Sequence, residues 1–244
     1  MPSTWTIGDI HGENQKLTTL LDWLPRGAED TTVFLGDYID RGSDVAGVVD
    51  RILEEYDSAP DRTVLLKGNH EAMAQMFFSL PATAPEKREV LKDWAENGGM
   101  DTFIAYDVLL RDRLIVPCPT PLARLFSLLK LFWRSPEPDL ASYIWVHAGV
   151  PVGMEPEQAS ATDLLWLRWS FINERDTSGR VVLYGHTPTE TGLPRVMPDK
   201  IGLDTGAVFG GSLTALQLPE QQLWQVDSLG RTAKFSLSSL NGRG

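Results

Sequence analysis

The chain has a single cysteine in 244 residues, Cys118 in the stretch VPCPTP. One thiol forms no internal disulfide, so a reducing cytoplasm is the expected location. With no histidine near it in sequence, this thiol reads as a small apolar side chain rather than a nucleophile. Basic residues are also scarce. The 22 Lys and Arg stand against 33 Asp and Glu, for a formal net charge of −11. That balance argues against a broad nucleic-acid surface, which needs positive charge to displace the counterions of phosphates. It leaves room for one phosphorylated group as substrate, because bound cations can supply positive charge locally. The longest apolar run, LARLFSLLKLFW from Leu122 to Trp133, is interrupted by Arg124 and Lys130. It falls well short of the ~20 residues that a bilayer-spanning helix needs. The opening MPSTWTIGDIHG has neither a basic nor an apolar leader region, so no secretory signal is expected. Internal repeats, low-complexity tracts and linkers are missing as well, and a single domain over 1–244 is expected.

What is present is a recurring pattern of short apolar strand, glycine, then polar ligand-type residue. Five segments read as buried strands: STWTI before Gly8, TTVFL before Gly36, TVLLK before Gly68, SYIWV before His147 and VVLY before Gly185. Helical spacing follows the first three. Leu17, Leu20, Leu21 and Leu24 form one stripe, and Val45, Val48, Val49, Ile52 and Leu53 a second, with Ser43 as its N-cap. Ala72, Met73, Met76, Phe77 and Leu80 form a third, stopped by Pro81. Strands alternating with helices predict an α/β domain with parallel pairing. Residues 81–140 read as a helical, cap-like insertion. It holds a helix over 86–97, stopped by Gly98-Gly99, and a second over 122–133. The second helix has two readings: mostly buried, or a docking face for a partner or membrane surface. SLTALQL and LWQVDS flank PEQQ as a β-hairpin, followed by AKFSLSSL, which adds an antiparallel portion of sheet.

The four histidines, His11, His70, His147 and His186, all follow apolar strand patterns and stand in or beside glycine turns. Strand ends of an open α/β sheet lie along one edge, where ligands bind. Asp9, His11, Asp37, Asn69, His147 and His186 can therefore converge. Six nitrogen and oxygen donors with no thiolate suit two divalent ions, with manganese, iron and zinc all admissible. Ions about 3.5–4 Å apart need a shared ligand, and a carboxylate serves. Asp37 is the candidate bridge, with Asp9 and His11 on one ion and Asn69, His147 and His186 on the other. Such a site stays cationic and attracts a phosphoryl group. In GDYIDRG (36–42), Arg41 is then free to aim its fork at phosphate oxygens. In GNHE (68–71), His70 is left over as a general acid, with Asp40 as its orienter.

Taken in order, GDIHG, GDYIDRG, GNHE, HAG and GHT resemble the phosphoprotein phosphatase family of the calcineurin-like metallophosphoesterases, from Gly8 to about Leu218. The run from Trp94 through Asn97-Gly98-Gly99 to Thr102, and LDTGAVFGGSLTAL (203–216), resemble its bacterial branch. The resemblance implies a four-layer αββα sandwich of two mixed β-sheets flanked by helices. It implies two divalent ions, manganese foremost, on Asp9, His11, Asp37, Asn69, His147 and His186. Asp40 and His70 match the family's acid pair, and Arg41 one phosphate clamp. A second clamp is expected after HAG, with Arg168 the best match and Arg175 the weaker one. The implied reaction is in-line attack on phosphorus by a metal-bridging hydroxide, with no covalent enzyme intermediate.

Singly, each motif has a plainer explanation. Gly-Asp and Gly-Asn are common turn pairs, Asp40-Arg41 could be a surface ion pair, and Arg168 could simply stack on its neighbouring tryptophans. Glu71 and Asp163 have two readings, as neighbours of the metals or, more simply, as helix caps or solvated residues, and Asp204 reads as a turn stabiliser near the site. Joint occurrence in order outweighs these readings. The expected activity is phosphomonoester hydrolysis, with phosphoserine and phosphothreonine in proteins as first substrate class. The alternative is a symmetrical diadenosine tetraphosphate hydrolase. Such hydrolases usually carry tryptophan after the GH histidine, where this chain has Thr187-Pro188. A wider-group phosphodiesterase would usually lack the DRG arginine, and a dead scaffold would have lost donors that are all present here.

Overall fold

The computed structural model describes residues 2–108 and 117–240. Two mixed sheets face each other, with helices on their outer faces. The first sheet has the order β11-β10-β9-β1-β2-β3. Its parallel part is β1 (Thr4–Ile7), β2 (Thr31–Phe34) and β3 (Thr63–Leu65). The expected hairpin is β9 (Leu213–Leu218) and β10 (Gln222–Val226), extended by β11 (Thr232–Ser236). This antiparallel portion joins the first sheet directly, because β9 pairs with β1. The second sheet has the order β4-β5-β6-β8-β7. It comprises β4 (Phe132–Trp133), β5 (Tyr143–Val146), β6 (Val181–Tyr184), β7 (Arg195–Met197) and β8 (Lys200–Gly202), with β5, β6 and β8 parallel.

Strand alternation sorts the core into layers. Trp5, Ile7, Phe34 and Leu65 pack outward against α1 (Asn14–Trp23), α2 (Val45–Ser58) and α3 (Asn69–Ser79). Val33, Leu35, Val64 and Leu66 face the other way and meet Trp145, Leu183 and Ile201 of the second sheet. Trp145 Nε1 donates to Thr6 Oγ1 at 2.7 Å, a buried hydrogen bond between the sheets. The outer face of the second sheet packs Val146, Val182 and Tyr184 against Leu164, Phe171 and Ile172. These last come from α7 (Ala161–Trp166) and α8 (Trp169–Ile172).

Several boundaries differ from expectation. Asp44, not Ser43, caps α2, with its side chain accepting from Gly47 N–H. Met76, counted in the apolar stripe of α3, is exposed. The helix over 86–97 is α4 (Lys87–Trp94), which passes through a kinked segment (Ala95–Gly99) into α5 (Met100–Ala105). The helix expected over 122–133 is α6, Thr120–Leu128. Lys130 instead bridges the open edge of β3: its N–H donates to Leu65 O, and its O accepts from Lys67 N–H. Phe132 and Trp133 then pair with β5. Unpaired strand edges cost more than ending a helix early, and the β-prone Phe-Trp pair suits the sheet. The apolar side of α6, Leu122, Leu125 and Phe126, is buried in the chain's own core, so it is not a free docking face. No helix among the described residues is long and apolar enough to cross a membrane. Cys118 is half-buried, and burial pushes its thiol up to about 11, which keeps it protonated.

Candidate active site

The C-terminal ends of β1, β2, β3, β5, β6 and β8 deliver, in turn, Asp9 and His11; Asp37, Asp40 and Arg41; Asn69 and His70; His147; His186; and Asp204. Apart from Arg41, every one of these side chains is buried. Glycine makes the approach close enough. A Cβ on Gly68 would collide with Asp37 Oδ1, and one on Gly185 with Asp9 Oδ1. The backbone is held in unfavourable positions: φ is +44° at His11, +52° at Asp37, +72° at Asp40, +67° at Arg41 and +63° at His186. For non-glycine residues such conformations cost roughly 1–2 kcal/mol each and persist only where their surroundings enforce them.

Two groups of donors have atoms within 4.8 Å of one another: His11, Asp37 and His70, and Asp37, His147 and His186. Asp37 belongs to both, as a bridging ligand must. His11 Nε2 lies 3.3 Å from Asp37 Oδ2, and His147 Nε2 3.4 Å from Asp37 Oδ1. Asn69 Oδ1 lies 3.0 Å from His147 Nε2 and 2.9 Å from His186 Nδ1. Asp9 stands outside both groups. Its Oδ2 accepts from His186 N–H at 2.7 Å, while its Oδ1 is buried with no partner among the described residues. His70, which the sequence reading kept off the metals, is within reach of the first group, but its Nδ1 is engaged with Asp40 Oδ2 at 2.6 Å.

The electrostatics describe a site that needs cations. Burial, then Asp204 and Asp37, push Asp9 well above its ordinary value. Burial raises Asp204 to about 6, against an opposing hydrogen bond from Gly206 N–H. Burial also works against Asp37, but His147, His70 and His11 hold it well below the usual carboxylate range. Burial pushes His186 down to about 2, so its ring is neutral. His147 is likewise lowered by burial, and its Nδ1–H donates to Leu35 O at 2.8 Å. Its Nε2 lone pair therefore faces Asn69 Oδ1 and Asp37 Oδ1, three acceptor atoms with no proton among them. At His11, Nδ1–H donates to Ile39 O and Nε2 meets Arg41 Nη1 at 2.8 Å, so Nε2 again offers a lone pair. Burial lowers His11 and the Asp37 carboxylate raises it, with a net rise. The orphaned Asp9 Oδ1, the His186 Nε2 with no partner among the described residues, and these converging lone pairs fit divalent cations on nitrogen and oxygen donors.

Three features escaped the sequence reading. Glu71 is completely buried, and its carboxylate accepts from Gly68, Asp37 and Tyr38 N–H, each at 2.9 Å, and from Ile39 N–H at 3.3 Å. It does cap α3, as one expectation had it, but it also binds the loop carrying Asp37. Burial and then Asp37 raise it to about 8. Its place three residues after Gly68, at a helix start, was the only local signal. Trp94 and Thr102 both donate to Asp40. Two exposed aromatic rings stand at the rim: Phe209 beneath Arg41, at 5.4 Å, and Trp166 edge-on to His186, at 6.1 Å. Arg168 is exposed and close enough for its charge to help depress His186. Arg195, not Arg168, stacks on Trp169. Arg175 is exposed as well. Asp163 closes a capping box with Ser160 at the start of α7.

The chain belongs to the calcineurin-like phosphoesterase family, whose model matches residues 3–206. Among its relatives are an asymmetrical bis(5'-nucleosyl)-tetraphosphatase PrpE of Bacillus cereus and serine/threonine-protein phosphatase 1 of Salmonella typhimurium. The first is 30% identical over 91% of this chain and 93% of the relative. The second is 29% identical over 88% of this chain and 91% of the relative. Among solved structures, the cold-active protein-tyrosine phosphatase of a psychrophilic Shewanella shares the fold, with a TM-score of 0.60. It is 17% identical, over 96% of this chain and 80% of that one.

Proposed function

We propose that the chain, folded as one domain, is a phosphatase that hydrolyses phosphomonoesters, with phosphoserine and phosphothreonine in proteins as substrate class. The observation that carries this reading is the buried His70–Asp40 pair beside the donor cluster. An alkoxide is a poor leaving group, and an acid oriented by a carboxylate meets that need. Asp9, His11, Asp37, Asn69, His147 and His186 would hold two divalent ions, manganese foremost, with Asp37 shared between them. Bound there, the ions would supply water activation and charge neutralisation at the phosphoryl group. Arg41 and Arg168 bind phosphoryl oxygens, and Asn69 stands where it can meet substrate as well as metal. Asp40 keeps His70 Nδ1 protonated, so the proton given to the leaving oxygen comes from Nε2. The expected setting is the cytoplasm.

The test replaces His70 by asparagine. Hydrolysis of a phosphoserine peptide should fall by about 10²–10⁴-fold, and that of p-nitrophenyl phosphate, whose leaving group needs no proton, far less. Equal losses reject the acid role.

A second reading is hydrolysis of a dinucleoside tetraphosphate. The exposed Phe209 and Trp166 at the rim favour it, because a nucleobase stacks on such faces, and so do the relatives named for that activity. Rates with manganese on a phosphothreonine peptide and on diadenosine tetraphosphate separate the readings. Two ADP from the dinucleotide would mark symmetrical cleavage, and ATP with AMP the asymmetrical mode.

A further inference from the structure

We propose that the run from Trp94 to Thr102 is a positioning element for the acid: Trp94 and Thr102 fix the Asp40 carboxylate so that it holds His70 in one orientation. The proposal rests on the reading of His70 as general acid. Asp40 is fully buried and receives three donors. His70 Nδ1 and Trp94 Nε1 share Oδ2, at 2.6 and 2.8 Å, and Thr102 Oγ1 donates to Oδ1 at 2.5 Å. The Thr102 hydroxyl also accepts from Asp40 N–H at 3.1 Å, so one side chain grips both the backbone and the carboxylate of the same residue. The next residue is held by the same run: Arg41 N–H donates to Gly98 O at 3.2 Å.

The backbone of the run is shaped for this. Trp94, Gly98 and Thr102 are spaced by four, and residues so spaced drift around a regular α-helix. Here the chain kinks within Ala95–Gly99, where Gly98 leaves the helical region at φ +98°. The kink places Trp94 and Thr102 on different oxygens of one carboxylate. A side chain at Gly98 would collide with Arg41 Cγ, so glycine lets the run close on the loop. Asp40 and Arg41 both stand at positive φ, at +72° and +67°, and this grip explains how that conformation is held. Neither the indole nor the hydroxyl can take the proton from His70. Both leave Asp40 Oδ2 able to accept from His70 Nδ1–H, and the proton exchanged with the leaving oxygen is the one on Nε2.

The experiment compares Thr102→Val, Thr102→Ser and Trp94→Phe with His70→Asn, on a phosphoserine peptide and on p-nitrophenyl phosphate. Bound metal is determined for each protein, and the His70 imidazole proton is followed by NMR. Thr102→Val and Trp94→Phe should lower kcat on the phosphopeptide by about ten- to a hundredfold, within the range of general-acid effects. KM, metal content and the p-nitrophenyl rate should stay within about twofold, and the Nδ1 proton should shift or broaden. Thr102→Ser keeps both hydrogen bonds and should restore the rate. If His70→Asn is selective for the phosphopeptide but Thr102→Val slows both substrates equally, or Thr102→Ser fails to rescue, the run merely supports the loop and the proposal falls. If His70→Asn is itself unselective, the acid reading falls and takes the proposal with it. Should Trp94→Phe not fold, the near-isosteric Thr102→Val decides alone.

Discussion

The two flanks of the donor cluster are built differently. On the flank of β1, β2 and β3, the carboxylates of Asp37, Asp40 and Glu71 are buried and engaged. Glu71 collects four backbone N–H groups, and Asp40 three side-chain donors. On the opposite flank, Arg168, Trp166 and Trp169 are exposed, and Phe209 stands open beneath Arg41. The first flank is over-determined, as strained backbone and charged ligands require. The second is free to meet a partner of variable shape. Within one family, chemistry can stay constant on the first flank while substrate changes on the second.

The comparison breaks soonest at its centre. Asp37→Asn removes the charge common to both donor groups. Metal analysis should find neither ion retained, and kcat should fall by about 10³-fold or more, since each bound ion is worth several kcal/mol. Two full equivalents of metal in this variant would show that Asp37 is not the shared ligand.

The buried flank should also reveal itself through pH in metal-stripped protein. Asp204 is raised from 3.8 to about 6 and Glu71 from 4.5 to about 8. A carboxyl raised on folding contributes stability that is full below its unfolded value and is lost as pH rises through its folded value. The neutral His186 and His147 work the other way, adding stability as pH rises towards their ordinary 6.5, so the melting temperature of the stripped protein should fall most clearly between about pH 6.5 and 8, and added manganese should flatten the curve. Glu71→Gln should remove the upper part of the fall, and should cost about 1–3 kcal/mol for each backbone donor it strands. A flat curve in the stripped protein would show that these carboxyls are not uncompensated.

The smallest effect belongs to the open flank. Phe209→Ala should leave the p-nitrophenyl rate and metal content unchanged. If a nucleobase stacks there, it should raise KM for diadenosine tetraphosphate by about ten- to a hundredfold, given ~1–3 kcal/mol per stacked base. No change with the dinucleotide would leave the aromatic rim without a role in nucleotide binding.

Much of this was legible beforehand because the ligand types sit next to the glycine turns that end apolar strands. Asp9, His11, Asp37 and Asn69 each depend on a local pattern of a few residues, and so do the parallel strands that carry them. What escaped depends on contacts distant in sequence. Trp94 and Asp40 are 54 residues apart, and Thr102 and Asp40 are 62. Glu71 looked like an ordinary cap because the loop it binds lies more than thirty residues earlier. The helix expected to reach Trp133 stops at Leu128 because the edge of β3 needed a partner, and helical spacing cannot register an unpaired strand edge.

By itself the sequence determined the alternation of strand and helix, the donor types and the absence of thiolate, because these follow from local spacing and side-chain chemistry. Only the tertiary structure decided which donors meet. It set His186 N–H on Asp9, 177 residues away, and placed Asp37 between two groups of histidines. Convergence is a property of two packed sheets, and the burial that forces these charges together exists only once both have closed over the same edge.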